Sequence, residues 1–563
     1  MASSAQASLA APPGSDHRSL QTSIFLGLIS AVLLDFCFPV AGPLPRWRSL
    51  LAFIALVPLL WALLNERAAE HPRYLRRAAL TAYLSGILWY ALNCYWIYQT
   101  MLHYGNMPPF GAAGMLLLFS AILGLYFGLF GLLLAFFRRR FGLARSLLLA
   151  PFLWTAIELL AARLTSVPWD QLGYSQVGSL GLITLAPWTG VYGISFAVVL
   201  ANVFLVSFAL SRAALRNWRR WVLVFVFAFI LVWTPLHPIP KPAPTSAYAV
   251  LLQPNIDVGN NDNWQGGEWN GDPRWIASAA QQTCTPAYSG MPPTQNLPDA
   301  APPARACPEN TPPPGVVLWP EVASWFQSDN PHTQAILAQT ATTAHAPFIA
   351  GMLGVDSSGT YNSAVFTNPD GSVQGRYDKI HLVPFGEYIP YRSAFFFAPK
   401  LTHQLSDLTP GRERKVFTAS GTDGQSHTFG VFICYESVFA DEIRRFALNG
   451  AQVLVNLSDD GWYGDTSAPW QHLNMARMRA IENRRWLLRD TNNGVTTVID
   501  PYGRVTYSAP RHQLTSLVAR YGYRSDLTFY TRYGDVFAYL CCAVSAAALI
   551  LAFRRTRAAT SRA

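Results

Sequence analysis

Charged residues are scarce in this chain of 563 residues. Asp, Glu, Lys and Arg together make up 13% of the sequence, whereas soluble domains usually carry about a quarter. Hydrophobic residues reach 51%, and 18 residues are Trp. This composition excludes an ordinary soluble protein and a disordered one, and it predicts a membrane protein.

The signatures of nucleotide and metal binding are also missing. The sequence has no Walker pattern and no dinucleotide-binding glycine pattern. Its 11 His residues have no Cys, His or carboxylate partners at the spacing of metal ligands. We therefore expect no nucleotide, no metal and no other cofactor.

Eight apolar runs are present, and most of them are long enough to cross a bilayer, which takes about 17–25 helical residues. Two of the runs are short enough to be buried helices of a soluble protein, but both continue a regular alternation of apolar run and polar loop. The predicted spans are 22–40, 50–64, 79–99, 110–136, 146–162, 190–210, 220–235 and 536–553.

Basic residues are distributed unevenly among the loops. Seventeen Lys and Arg residues lie in the segments 1–21, 65–78, 138–145, 211–220 and 554–563. The alternate loops hold only Arg46, Arg48 and Arg163. Because basic loops stay on the cytoplasmic side, both termini are predicted to be cytoplasmic. The same topology explains the net charge of +10, so we expect no nucleic-acid partner.

The predicted domain organisation follows from this topology. An N-terminal tail (1–21) precedes a membrane domain of seven helices (22–235), and an eighth helix (536–553) precedes a C-terminal tail (554–563). The segment 236–535 lies on the opposite face of the membrane, which is the periplasmic face in a bacterium.

Two parts of this organisation can be described further. Within 236–535, residues 257–314 are rich in Pro, Gly and Asn and are interpreted as an insertion. Cys284 and Cys307 lie in it and could form a disulfide in an oxidising compartment. The loop 166–189, between two predicted spans, falls on the same side as the exported segment, and we expect it to dock there.

Cys434 ends the apolar run 429–434 of the exported segment. Seen alone, a cysteine at the end of a buried strand is most often a packing residue. Two other short segments, however, carry Glu321 and Lys379 at similar positions. A carboxylate can accept the proton of a thiol, and an ammonium can stabilise an oxyanion. Each charge alone is more typical of a solvated group or an ion pair, but the three residues together predict a nucleophilic thiol with its base.

Around these residues the sequence resembles the carbon–nitrogen hydrolase (nitrilase) superfamily, whose Glu-Lys-Cys triad occurs in this chain order. With the membrane spans included, the chain more narrowly resembles the apolipoprotein N-acyltransferases over nearly its whole length. The matching stretches are 93–96, 172–176, 253–256, 381–387, 434–436, 460–464, 471–480 and 491–495.

The resemblance implies a polytopic α-helical membrane domain beside an α/β domain with a nitrilase-like αββα sandwich. It implies that a phospholipid gives its sn-1 acyl chain to Cys434, with Glu321 as the base and Lys379 on the oxyanion. The α-amino group of a diacylglyceryl-cysteine at the N-terminus of an apolipoprotein then attacks the thioester. Phosphatidylethanolamine is the expected donor, and membrane lipids are expected to surround the protein.

Further residues match positions that the family needs beyond its triad. Glu387, Tyr435 and Glu436 are predicted to orient or support the triad. The segment 391–401 mixes aromatic and basic residues, so it is predicted to lie on the membrane as a lid or arm. An aromatic loop packed on its own domain is the alternative. The residues predicted at the lipid entrance are Trp462, Phe395, Phe396 and Phe397.

Two rival functions stay open at this point. A membrane-tethered amidase of the nitrilase type would share the triad and hydrolyse a small amide. A non-catalytic assembly factor or transporter would use the charged groups for structure only. The number of predicted spans favours acyl transfer over the amidase, because a small soluble amide requires no membrane domain.

Overall fold

The computed structural model describes residues 13–65, 69–179, 181–210, 241–256, 258, 313–321, 326–389, 408–513 and 515–560. It has two parts, which we call the helical region (residues 13–210 with the last helix) and the sandwich region (residues 241–535). The predicted span 220–235, nearly all of the insertion 257–314, and Phe395, Phe396 and Phe397 lie outside the described residues.

Long apolar helices dominate the helical region. Gly142, at φ +79°, ends one of them after a basic last turn and lets the next begin directly. The helices are α1 (Pro13–Asp35), α2 (Arg46–Ser49), α3 (Val57–Leu64), α4 (Tyr74–Asn93), α5 (Trp96–His103), α6 (Pro109–Phe141), α7 (Leu143–Leu164), α8 (Ala186–Thr189), α9 (Val191–Leu210) and, at the end of the chain, α14 (Val536–Thr560).

Five helical segments among the described residues are long and apolar enough to cross a membrane. They are Arg46–Leu64, Pro109–Phe141, Leu143–Leu164, Val191–Leu210 and Val536–Arg554. These segments coincide with five of the eight predicted runs. The run at 22–40 falls on α1, whose apolar part is the shorter stretch Leu20–Asp35.

The prediction of one unbroken span at 79–99 is wrong. Helix α4 ends at Asn93, and α5 begins at Trp96. The cause is the hydrogen bonding of Asn93, whose carbonyl oxygen accepts from Gln471 Nε2 (2.9 Å) and whose Nδ2 donates to Asp170 Oδ2 (2.9 Å). This carbonyl is therefore bound by a residue of the sandwich region instead of continuing the helical ladder.

Two six-stranded sheets form the sandwich region. Their strand orders are β12-β1-β2-β3-β4-β5 and β11-β10-β9-β8-β7-β6. The strands are β1 (Ala247–Gln253), β2 (Val316–Trp319), β3 (Phe348–Asp356), β4 (Gly359–Thr367), β5 (Val373–Asp378), β6 (Val416–Ser420), β7 (Ser426–Ile433), β8 (Val453–Ser458), β9 (Trp486–Thr491), β10 (Thr497–Ile499), β11 (Val505–Ser508) and β12 (Thr515–Tyr521).

Three parallel strands occupy the centre of each sheet, β1-β2-β3 in the first and β7-β8-β9 in the second. Central parallel strands are buried on both faces and therefore read as continuous apolar runs. Strands β2 and β8 are buried at every position. Leu318, Val431 and Leu488 belong to the apolar core between the sheets. Burial of such a side chain stabilises the fold by about 1.5–3 kcal/mol.

Helices cover both outer faces, so the expected αββα sandwich is confirmed. Helix α10 (Pro331–Ala344) packs Leu337 and Ala341 against the first sheet. Helices α11 (Ala440–Leu448) and α12 (Ala468–Asn483) cover the second sheet, and a short helix α13 (Phe529–Tyr533) follows. Helix α12 also packs Met475 and Met478 into the core of the helical region, so it joins the two regions.

The loop 166–189 contacts the sandwich region, as predicted. Trp169 Nε1 donates to Gln471 Oε1 (2.9 Å). Arg479 Nη2 donates to the hydroxyl of Tyr174 (3.0 Å). These buried bonds fix α12, and with it the second sheet, against the helical region.

Candidate active site

Three strands end in the residues singled out by the sequence. Cys434 directly follows β7, Lys379 directly follows β5, and Glu321 lies two residues after β2. All three are buried, with 5%, 1% and 6% of their surface exposed. A buried thiol, ammonium and carboxylate at strand ends belong to a reactive site or an ion-pair network, because charges of this kind are not left unpaired in a core.

Lys379 bridges two carboxylates. Its Nζ donates to Glu321 Oε1 and to Glu387 Oε1, each at 3.0 Å. Asn362 repeats the bridge, since its Nδ2 donates to the same two oxygens at 2.8 and 2.7 Å. Of the predicted supporting residues, Glu387 is therefore in direct contact with Lys379. We call Glu321, Lys379, Glu387 and Asn362 the catalytic cluster.

Charge in the catalytic cluster is not balanced. Burial alone would lower the pKa of Lys379, but the carboxylates of Glu321 and Glu387 outweigh burial and raise it well above the usual value. Lys379 therefore stays charged at neutral pH, and one carboxylate charge is left over. The backbone N–H of Asp459 donates to Glu321 Oε2 (2.8 Å) and stabilises that charge.

A close approach of β3 holds the Glu321 segment in place. A Cβ atom at Gly351 would overlap the carbonyl oxygen of Pro320 and lie 2.8 Å from the Cα of Glu321. Only glycine leaves room for this packing, so β3 can support the turn that carries Glu321.

Cys434 has a strained backbone. Its φ is +48°, an uncommon value for a residue other than glycine, at the junction between β7 and the 3₁₀ turn Cys434–Val438. Burial raises the pKa of the thiol well above its usual value, the charge of Glu321 raises it further, and Lys379 lowers it. The resting thiol is thus protonated, and it requires a base at the moment of attack.

Glu436 ties two of the strand ends together. One carboxylate oxygen accepts from the backbone N–H of Ile380 (2.7 Å), the residue after Lys379, and the other accepts from that of Ile433 (2.7 Å), the residue before Cys434. The hydroxyl of Tyr377 donates to both oxygens. Glu436 therefore fixes the distance between the Lys379 and Cys434 backbones.

Tyr435 and Trp462 connect the site with the helical region. The hydroxyl of Tyr435 donates to the carbonyl of Ser166 (2.9 Å). The half-buried Trp462 accepts at its carbonyl from Thr100 Oγ1 (3.0 Å), and its ring lies 5.7 Å from that of Tyr104. Trp462 is thus placed where the sandwich region contacts α5, which is compatible with the predicted lipid entrance.

Asp460, His472 and Arg489 form a second buried network. The sequence analysis assigned no role to these residues. His472 Nε2 lies 3.0 Å from the carbonyl oxygen of Cys434, and His472 Nδ1 lies 3.0 Å from both Asp460 Oδ1 and Arg489 Nη2. Arg489 Nη2 also donates to Asp460 Oδ2 (2.8 Å). We call Asp460, His472 and Arg489 the support cluster.

The hydrogen bonds define the protonation of His472. A carbonyl oxygen only accepts, so Nε2 carries the hydrogen that is donated to Cys434. Burial and the charge of Arg489 lower the pKa of His472, which favours the neutral ring, with Nδ1 accepting from Arg489. The support cluster therefore holds the strained carbonyl of Cys434 with a neutral donor.

Sequence reasoning missed these residues for identifiable reasons. His472 and Asp460 lie in stretches that match the family, but only their contacts reveal a role. Asn362 is a polar residue in the middle of β4, and nothing in the sequence separates it from an ordinary strand residue.

Comparisons with known proteins cover both regions. A family model described as the apolipoprotein N-acyltransferase N-terminal domain matches residues 30–204, and one described as carbon–nitrogen hydrolase matches residues 304–521. The apolipoprotein N-acyltransferase of Geobacter metallireducens is 33% identical over 94% of this chain and 95% of its own length. That of Methylococcus capsulatus is 31% identical over 92% of this chain and 94% of its own length.

This chain is also similar to a solved structure over part of its length. The carbon–nitrogen hydrolase from Helicobacter pylori is 18% identical and covers 49% of this chain and 88% of its own length, with a TM-score of 0.32.

Proposed function

This chain belongs to the apolipoprotein N-acyltransferase family, and from that premise we propose that Cys434 carries the acyl chain in transit. The reaction is the N-acylation of lipoproteins, with a lipid as the acyl donor. The observation that carries the proposal for Cys434 is that Glu436 binds the backbone N–H groups next to Lys379 and Cys434, while Lys379 contacts Glu321, so a base and an ammonium are held beside the thiol. Such a pair supplies a base and an oxyanion partner to a single nucleophile.

In the first half-reaction, Cys434 Sγ attacks the sn-1 ester carbonyl of a phospholipid. Glu321 accepts the thiol proton, and Lys379 stabilises the negative charge on the carbonyl oxygen. The ester C–O bond breaks, the proton passes from Glu321 to the leaving oxygen, and lysophospholipid departs. Phosphatidylethanolamine is our proposed donor.

In the second half-reaction, the α-amino group of the N-terminal diacylglyceryl-cysteine of an apolipoprotein attacks the thioester. The C–S bond breaks, an amide forms, and the proton from the amine returns to the thiol through Glu321. Glu387 and Asn362 keep Glu321 and Lys379 aligned during both steps, because Glu387 accepts from both Lys379 and Asn362, and Asn362 donates to Glu321 as Lys379 does.

The proposed topology has eight membrane spans and a periplasmic catalytic domain, with both termini in the cytoplasm of a bacterial inner membrane. The basic last turn of α6, with Arg138, Arg139 and Arg140, supports this orientation. The proposed domain limits are 22–235 and 536–553 for the membrane spans and 236–535 for the catalytic domain. Trp462, with Phe395, Phe396 and Phe397 on the arm 391–401, is proposed to line the lipid entrance.

An activity assay separates this function from the amidase alternative. Purified protein is incubated with phosphatidylethanolamine and a synthetic diacylglyceryl-cysteinyl peptide. We expect triacylated peptide and lysophospholipid in equal amounts, and neither product with Cys434→Ala. Release of ammonia from small amides without acyl transfer would favour the amidase instead.

A further inference from the structure

A cavity lies within the helical region, apart from the catalytic cluster. Its wall is formed by parts of α1, α4, α6 and α7 and by the loop that follows α7. Most of the wall is aromatic or aliphatic, with Trp89, Tyr90 and Trp154 among the lining residues. Two carboxyl side chains, Glu158 and Asp170, line the same cavity.

In each of these two carboxylates, only one oxygen atom accepts a described hydrogen bond. Glu158 Oε1 accepts from Trp154 Nε1 and from the backbone N–H of Leu172, both at 2.9 Å. Asp170 Oδ2 accepts from Asn93 Nδ2 (2.9 Å). The second oxygens, Glu158 Oε2 and Asp170 Oδ1, are buried and have no hydrogen-bond partner within the described part of the chain.

The indole Nε1 of Trp89 also lines the cavity. It is a third buried polar atom that has no hydrogen-bond partner among the described residues. Asp170 and Trp89 are 0% and 5% exposed, so bulk water does not reach these atoms freely. An unpaired buried donor or acceptor costs about 1–3 kcal/mol. A ligand that donates to the two carboxylate oxygens and accepts from Trp89 would remove this cost.

Several features favour a cation as that ligand. Trp89 and Tyr90 lie near the C-terminal end of α4, where the negative end of the helix dipole favours a cation. The faces of the aromatic rings attract a cation as well. Burial raises the pKa of Asp170 to about 7, and a bound cation would favour its ionised form.

We propose that this cavity binds a primary ammonium group with an oxygen atom two or three bonds away. An ammonium donates three hydrogen bonds, enough for both free carboxylate oxygens, and the nearby oxygen accepts from Trp89. This proposal rests on the proposed function, which brings such a group to the protein as the head group of an aminophospholipid donor.

Trp169 connects the cavity with the catalytic site. It lines the cavity, and its ring stacks on that of His472 at 5.9 Å between centroids. His472 in turn donates to the carbonyl of Cys434 (3.0 Å). A molecule held in the cavity by its ammonium group is thus separated from the Cys434 segment by one aromatic side chain and one imidazole.

The test replaces each carboxylate by its isosteric amide. Glu158→Gln retains the acceptor for Trp154 and Leu172, and Asp170→Asn retains the acceptor for Asn93, so both variants preserve the described contacts. Glu70→Gln, at an exposed position of the helical region, is the matched control. Thermal unfolding in detergent identifies any variant that fails to fold.

Acyl-enzyme formation is measured by mass spectrometry with phosphatidylethanolamine and with phosphatidylglycerol of the same acyl chains. If the cavity holds the donor head group, both variants lower the rate with phosphatidylethanolamine by about tenfold and leave the rate with phosphatidylglycerol unchanged. Transfer to the diacylglyceryl peptide is measured as well, and a decrease confined to that step would overturn the proposal.

Equal rates for folded variants and wild type in both steps would overturn the proposal, and so would an equal decrease with both donors. Failure of the wild type to form an acyl-enzyme would instead contradict the proposed function. The two failures are therefore distinguishable in one set of measurements.

Discussion

The catalytic cluster and the support cluster are both buried, but they differ in charge balance. The catalytic cluster places two carboxylates, Glu321 and Glu387, around the single ammonium of Lys379. The support cluster pairs one carboxylate, Asp460, with one guanidinium, Arg489. Both are buried beside strand ends, with Lys379 directly after β5 and Asp460 two residues after β8, so burial alone does not explain the difference.

This difference in charge balance indicates which cluster can accept and release a proton. The carboxylates keep Lys379 protonated, so the surplus carboxylate of the catalytic cluster is the group available as a base. In the support cluster, the charge of Arg489 outweighs burial and holds the pKa of Asp460 well below its usual value. That cluster keeps its protonation state and holds the Cys434 backbone.

The largest effect is expected when the proton acceptor is removed. Glu321→Gln retains the size of the side chain, but the amide cannot accept the thiol proton, so acyl-enzyme formation should fall by about 10²–10⁴-fold. Single-turnover mass spectrometry measures this rate. The exposed Glu413→Gln is the control, and a decrease below tenfold for Glu321→Gln would assign the base to another group.

Removal of the positive charge should lower both rate and stability. Lys379→Met leaves Glu321 and Glu387 buried without their cation, so the free energy of unfolding should fall by about 3–5 kcal/mol. Acyl-enzyme formation should fall by about 10²–10³-fold through loss of oxyanion stabilisation. Chemical denaturation and single-turnover kinetics measure the two effects.

The exposed Lys415→Met is the matched control for Lys379→Met, and it should change neither quantity. A Lys379→Met protein with wild-type stability would show that the described ion pairs do not form.

A smaller effect is expected in the support cluster. His472→Gln can still donate to the Cys434 carbonyl through its amide, whereas His472→Ala cannot. We expect Ala to slow acyl-enzyme formation by about tenfold and to cost about 1–3 kcal/mol of stability, and Gln to recover part of the rate. Equal rates for the two variants would show that His472 does not act through this hydrogen bond.

The smallest effect concerns the pH dependence of stability. The pKa of His472 is lowered from its ordinary value of 6.5, so below that pH the unfolded chain binds a proton that the folded protein does not bind. Stability is therefore lost as the pH falls below about 6.5. The pKa of Lys379 is raised above 10.5, so its contribution is present below that pH and is lost only as the pH rises through the folded-state pKa.

Thermal unfolding between pH 5 and 8 measures the acid effect. As the pH falls, the free energy of unfolding of the wild type should decrease by on the order of 1 kcal/mol more than that of His472→Gln for each unit by which folding lowers the pKa of His472. Parallel profiles for the two proteins would exclude His472 as the source.

The sequence was informative where function depends on local pattern. Apolar runs that end in Glu321 and Cys434 predicted two of the strand ends, a third strand-like segment indicated Lys379, and the family motifs predicted the two-sheet sandwich. The break after Asn93 could not be predicted, because it depends on Gln471, a residue far away in the chain. Asn362 and the neutral donor His472 were missed for the same reason, since their roles arise from contacts between distant strands.

The most direct test is mass spectrometry of the purified protein after incubation with phosphatidylethanolamine alone, with Cys434→Ala in parallel. We expect a hydroxylamine-sensitive acyl adduct on Cys434, release of lysophospholipid, and neither product with the variant. Absence of both products from the folded wild type, or the same adduct on Cys434→Ala, would contradict acyl transfer through Cys434.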